Sequence, residues 1–174
     1  MTEKEFYIKI VNGKKDALAL FLNLLNKPKS NFCVIGGLAV NAYADPVVSL
    51  DLGVVIVSQK LDALMPILKE QFKVESFPNS INLSEKNFKL RIQIQTDLRY
   101  QDFIKKAKVK NVLGYKMPVA AIEDVLKGKV WAALAPQRRP SKRQKDLADI
   151  LRLIENNPKL SKLLPENLKK QLEL

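Results

Sequence analysis

Apolar positions change period several times along this chain, and each change marks an element. Ala17, Leu18, Leu20, Phe21, Leu24 and Leu25 recur at helical spacing, so Lys14 to Asn26 reads as a helix. Asn12-Gly13 before it and Lys27-Pro28-Lys29-Ser30 after it are breaker signals. Phe32 to Ile35 is a short apolar run, long enough only for a buried strand. Gly36-Gly37 follows at once, and Leu38 to Ala44 has no breaker, which predicts a helix starting at the glycines. Asp45-Pro46 ends it, because proline biases the residue before it away from helix. Leu50 to Val57 is a second apolar strand with a single acid, Asp51. Gln59 to Phe72 returns to the helical period through Leu61, Leu64, Met65, Ile67 and Leu68.

Lys73 to Phe77 reads as a strand and Pro78-Asn79-Ser80 as a turn; Ile81 to Leu83 and Phe88 to Gln95 read as paired strands. In the last of these, Leu90, Ile92 and Ile94 alternate with Arg91, Gln93 and Gln95, the pattern of a half-buried strand with a polar face. Lys105 to Ala120 carries short β signals around Gly114. Ala121 to Leu134 predicts a helix in which Ile122, Leu126, Lys129 and Ala133 share a stripe. An unpaired charge in such a row is costly, so Lys129 either snorkels to solvent or meets an anion. Pro136 breaks the chain before the basic loop Gln137-Arg138-Arg139-Pro140, and Ser141 is a good N-cap for a helix with Leu147, Ile150, Leu151 and Ile154 on its core face. Lys142, Lys145, Asp146 and Asp149 fall on another stripe. That stripe is either a solvated face with internal pairs such as Lys142–Asp146 or a basic surface for phosphate. Pro165 to Leu174 predicts a last short helix.

Charge narrows the partners. Thirty Lys and Arg against 18 Asp and Glu leave a net charge of +12, which favours an anionic partner: nucleic acid or nucleotide first, an acidic protein second. The chain has no histidine, which excludes His-based catalysis and His metal ligands. Its one cysteine, Cys33, lies inside an apolar strand, so no disulfide framework exists and a reducing, cytoplasmic setting is expected. The opening MTEKEFYIKI has acids and no long apolar core, so no signal peptide is expected, and no apolar run approaches membrane-spanning length.

The candidate chemistry lies between Phe32 and Val57. A strand passing through Gly-Gly into a helix aims backbone N–H groups at one spot, and an acid on the next strand can hold Mg²⁺ over it. The bland alternative is a tight turn and one acid at a strand end. With Gly36-Gly37 followed by Ser49-Leu50-Asp51-Leu52-Gly53, a polar strand, and the run RRPSKRQKDLAD, the chain resembles the nucleotidyltransferase superfamily of DNA polymerase beta, and within it the AbiEii-type toxin branch. Ser49 matches a usual Thr, Asp51 the first acid of an Asp-x-Asp pair, and Glu123 with Lys129 a Glu…Lys spacing; Lys145, Asp146 and Asp149 match a closing Lys-Asp motif. Gly53 stands where the second acid is usual, and Gln93 or Gln95 where the third is.

The resemblance implies an α/β (α+β) fold: a mixed β-sheet flanked by helices over residues 1–120, with a helical C-terminal part over 121–174 packed on it as one unit. It implies nucleotide binding by Gly36, Gly37, Ser49, Arg139 and Lys142, Mg²⁺ held by Asp51, and charge stabilisation by Lys129 and Lys145. The implied activity is transfer of a nucleoside monophosphate from an NTP to a hydroxyl of tRNA, another RNA or a protein, within a toxin–antitoxin pair with a cognate antitoxin. The depleted acids keep open a degenerate fold that only binds nucleotide, RNA or a protein partner.

Overall fold

The computed structural model describes residues 1–11, 16–26 and 31–174; the expected breakers at Asn12-Gly13 and at 27–30, and the start of the helix expected from Lys14, lie outside them. Among the described residues, seven strands form one mixed sheet in the order β3-β4-β5-β2-β1-β7-β6. Its centre is β1 (Phe32–Ile35) and β2 (Asp51–Ile56), paired antiparallel with Ile35 opposite Gly53. Cys33, Val34, Leu52, Val54 and Val55 have no solvent exposure, which is why both strands read as unbroken apolar runs. Burial also pushes the Cys33 thiol up to about 12, where it is inert at neutral pH.

The outer strands follow from this pair. β5 (Arg91–Gln95) runs parallel to β2, with Asp51 opposite Arg91 and Gly53 opposite Gln93. β3 (Lys73–Phe77) and β4 (Ser80–Ser84) extend that side as an antiparallel meander. β7 (Tyr115–Val119) joins β1 in parallel and carries β6 (Lys108–Val112) at the other edge. The leucine and isoleucines of β5 and its approach, Leu90, Ile92 and Ile94, are buried, while Arg91 and Gln93 are exposed. The alternation therefore carries through into a half-buried strand.

Helices flank the sheet. α2 (Ala17–Asn26) packs against α4 (Ser58–Gln71), which tolerates Pro66 inside it. α3 (Gly36–Val40), α5 (Ile122–Leu134) and α6 (Pro140–Asn156) pack on one another. α7 (Glu166–Gln171) closes the chain as expected.

Two local readings change, and two elements stand where the pattern gave none. The charged N-terminus forms a helix, α1 (Glu3–Ile10), held by a capping box in which Thr2 and Glu5 satisfy each other's backbone N–H groups. That T-x-x-E signal stands in the sequence, and α1 matters because buried Tyr7 donates to the Ser49 carbonyl at 3.1 Å. The helix expected over Leu38 to Ala44 is α3, five residues long, and the chain then turns. Leu98–Lys106, which overlaps the β signals expected from Lys105 only at its last two residues, is a 3-10 helix anchored by Tyr100 and Phe103 against Trp131 of α5. Ser141 does not cap α6: that helix starts at Pro140, and its N-cap residue, Arg139, makes no side-chain capping bond.

Candidate functional site

A cleft of about 600 Å³ opens at the end of the sheet where β2 and β5 begin and β1 finishes, with the first turns of α6 across it. Gly36, Gly37, Ser49, Asp51, Lys129, Arg139, Lys142 and Lys145, the residues singled out from sequence, all line it. Arg91, Gln93, Gln137 and Arg138 line it too. The fold thus gathers segments more than 90 positions apart, as the 91-residue separation of Asp51 and Lys142 records.

Asp51 sits at the start of β2 with both carboxylate oxygens engaged. Arg91 Nε donates to Oδ1 at 2.7 Å, and Lys142 Nζ donates to Oδ2 at 2.9 Å. Arg91 is there because the parallel β2–β5 register sets it directly opposite Asp51. Burial raises the Asp51 pKa, but the hydrogen bonds and charges of Lys142 and Arg91 outweigh it and hold the carboxyl below its usual range.

The glycine turn differs from its expected role. Gly36 takes a φ of +73°, a left-handed conformation suited to glycine, and swings the chain out of β1. Around Gly37, a Cβ would lie 3.6 Å from Ser49 Oγ and 3.8 Å from Asp149 Oδ2. A hydroxyl and a carboxylate therefore border the turn at Gly37, while the space at Gly36 is open. Ser49 is buried, and its hydroxyl bonds the backbone N–H and C=O of Asp51, each at 3.2 Å, so it shapes the entry into β2.

Lys129 meets an anion rather than snorkelling. Its Nζ donates to Asp146 Oδ1 at 3.0 Å and pairs with Asp149 Oδ2 at 2.6 Å without hydrogen-bond alignment. Arg138 donates to Asp146 Oδ2 through Nε at 2.8 Å, and Arg152 donates to Asp149 Oδ1 at 2.8 Å. Arg152 also reaches the Asn41 side chain and the Asp45 carbonyl, tying the turn after α3 to α6. Asp146 and Asp149 are 2% and 4% exposed, so the acids of the α6 stripe are not solvated, and Lys142 crosses to Asp51 instead of pairing with Asp146. The signal for this network was Lys129 itself: a lysine in an apolar row needs acids, and α6 alone offers two beside its core positions.

Arg91, Arg138 and Arg152 are the residues the sequence reading passed over. Arg91 shares the polar face of KLRIQIQ with Gln93, but only the strand register shows that it faces Asp51. Glu123 is exposed, whereas its neighbour Asp124 is buried at the start of α5 with Oδ2 lacking a hydrogen-bond partner. Lys145 is exposed at the cleft mouth.

Magnesium does not fit this donor set. Mg²⁺ is bound through carboxylates and phosphate oxygens, and here the one carboxylate on β2 already answers two cations. Gly53 offers no side chain, and a Cβ there would stand 3.2 Å from Ile35 Cγ1 and 3.3 Å from the Ile35 carbonyl oxygen. Gln93 opposite it brings no charge. Asp97 caps the 3-10 helix and pairs with Arg99, and Asp146 is held by Lys129 and Arg138. Among the described residues, no group of three or more Cys, Asp or Glu side chains is placed to hold a metal. No helix among them is long and apolar enough to cross a membrane.

No family model matches the sequence, and no curated protein matches it. Solved structures do match the fold. The antibiotic-resistance factor ANT(2'')-Ia aligns over 98% of this chain and 95% of its own at a TM-score of 0.63 and 10% identity. The lincosamide antibiotic adenylyltransferase LnuA, with lincomycin bound, aligns over 78% and 95% at 0.56 and 14% identity. An antigenic nucleotidyltransferase-like protein from Paracoccidioides brasiliensis aligns over 98% and 90% at 0.57 and 15% identity. The chain has the nucleotidyltransferase-like fold.

Proposed function

We propose that this nucleotidyltransferase-like chain is a nucleotide-binding module whose cleft takes the phosphates of a nucleoside triphosphate without a divalent ion. The observation that carries this reading is the state of Asp51: the single acid on the metal-side strand is neutralised by Arg91 and Lys142, beside Gly53 and Gln93. A site so arranged is cationic where a two-metal transferase site needs negative charge. Arg91, Arg139, Lys142 and Lys145 border the cleft and supply the charge-assisted donors that phosphate oxygens accept. Lys129 is already held by Asp146 and Asp149, so it organises the cleft wall and leaves phosphate to the others.

The net charge of +12 agrees with an anionic ligand. So does the fold, since ANT(2'')-Ia has been solved with adenylyl-2''-tobramycin, a nucleotide conjugate. The chain would then hold a nucleotide without moving its nucleoside monophosphate to an RNA or protein hydroxyl.

Calorimetric titration with ATP, with Mg²⁺ and again with excess chelator, tests the reading. Binding in chelator that is no weaker than with Mg²⁺ is the expected result, because free ATP carries more charge for the same cations. Binding that requires Mg²⁺, or Mg²⁺-dependent incorporation of labelled nucleotide into RNA or protein, would overturn it.

A further inference from the structure

The Asp51 clamp has a geometry that a purely structural ion pair would not need. Arg91 gives Asp51 only its Nε; its terminal guanidinium nitrogens have no partner among the described residues. The Arg91 side chain is 66% exposed, and those of Lys142 and Asp51 are 31% and 35% exposed. All three line the cleft with substantial exposure, whereas Lys129 and Asp146, which also border it, and Asp149 form ion pairs with side chains only 4–8% exposed. Asp51 therefore presents two carboxylate oxygens to two half-solvated cations, which is the arrangement a phosphate would make with the same donors.

We propose that Asp51 is an internal stand-in for phosphate: it occupies Arg91 and Lys142 in the free protein and sets the affinity of the cleft by competing with a polyphosphate ligand. This rests on the nucleotide-binding reading above and deepens it, by assigning the acid the opposite sign to a metal ligand. A phosphate entering between Arg91 and Lys142 must displace one oxygen of Asp51 from each and sit beside a carboxylate of like charge. The ligands this favours are those with several charges on adjacent phosphates, which can reach Arg139 and Lys145 as well. A single phosphate gains too few contacts to outcompete a tethered carboxylate.

The prediction inverts the usual one. Asp51→Asn keeps the shape and removes the charge, so it frees both cations and abolishes the repulsion. It should tighten binding of inorganic tripolyphosphate and of ATP in chelator by about tenfold. Arg91→Gln and Lys142→Gln should each weaken both by about tenfold. Asp51→Ala is the companion variant, and thermal unfolding confirms that each variant is folded before titration.

Tightening in both Asp51 variants supports the proposal. Tightening toward tripolyphosphate with no ATP binding also supports it, and identifies the ligand as inorganic polyphosphate rather than nucleotide. If the wild type binds ATP in chelator and neither Asp51 variant binds more tightly, the stand-in role is refuted while nucleotide binding survives. If neither probe binds wild type or variants, or if binding needs Mg²⁺ and is lost in Asp51→Asn, both readings fail together.

Discussion

Two ion-pair clusters lie within one helix of each other and are built to opposite specifications. In the cleft, Asp51 is held by Arg91 and Lys142 with all three side chains between 31% and 66% exposed. At the cleft wall, Lys129 is held by Asp146 and Asp149 with side chains 4–8% exposed. Water can replace any partner in the first cluster at little cost, so its members are free to exchange ligands. In the second, losing a partner leaves a charge in a low-dielectric interior that nothing can solvate. The contrast teaches that charge at this end of the sheet is divided between a fixed frame and an exchangeable front, and that α6 serves both, with Asp146 and Asp149 buried and Lys142 part-exposed in the cleft.

The largest effect should come from breaking the frame. Lys129→Met keeps the bulk of the stem and removes the charge that lies between two buried carboxylates. Arg138 and Arg152 still serve Asp146 and Asp149, so the loss is placed near the lower end of the range for a broken buried pair, about 3 kcal/mol. Urea denaturation measures it. A loss below about 1 kcal/mol would mean that this cluster behaves like the front one. The exchangeable cluster should respond weakly to the same treatment: Asp51→Asn should change stability by no more than about 1 kcal/mol. A cost of several kcal/mol there would make the clamp part of the frame and remove its freedom to release Arg91 and Lys142.

How much of this was legible depends on which interactions are local. The order of strands and α-helices from Phe32 onward, the 3-10 helices aside, followed from period and breaker residues, since β1 and β2 are buried on both faces and β5 on one. The cleft was legible as a set of residues because Gly36, Gly37, Ser49, Asp51 and Lys142 lie beside strong element boundaries. The partner of Asp51 was not, because parallel register between β2 and β5 is set by packing across the sheet and leaves no trace in either strand. Lys129 left snorkelling and a buried anion both open, and neither reading of the α6 stripe, solvated face or phosphate surface, buried its two acids, because the core face of that helix is wider than a single stripe. The reach of α3 was overread: a stretch of helix formers says nothing of the turn that Asn41 makes by bonding Val47 through both its amide groups.

The smallest effect, and the sharpest separation, lies in pH. Asp51 and Asp124 are both partly or fully buried carboxyls, yet they are shifted in opposite directions. Burial raises the Asp51 value, and Lys142 with Arg91 more than reverses it, so its folded pKa lies below the unfolded value of about 4. Its contribution is therefore present above pH about 4 and is lost as pH falls through the lowered folded value. Burial raises the Asp124 pKa, and Lys106 and Lys127 do not offset it. In the folded chain Asp124 keeps its proton after the unfolded chain has released it, so its contribution is present at low pH and is lost as pH rises from about 4 through the raised value. Thermal unfolding of wild type, Asp51→Asn and Asp124→Asn across the acid range reads both. As pH falls, the wild type should lose stability relative to Asp51→Asn and gain it relative to Asp124→Asn. A wild type that loses no stability relative to Asp51→Asn as pH falls would mean that Arg91 and Lys142 do not hold the Asp51 charge in solution, and the cleft would then present its cations to ligand without a competitor.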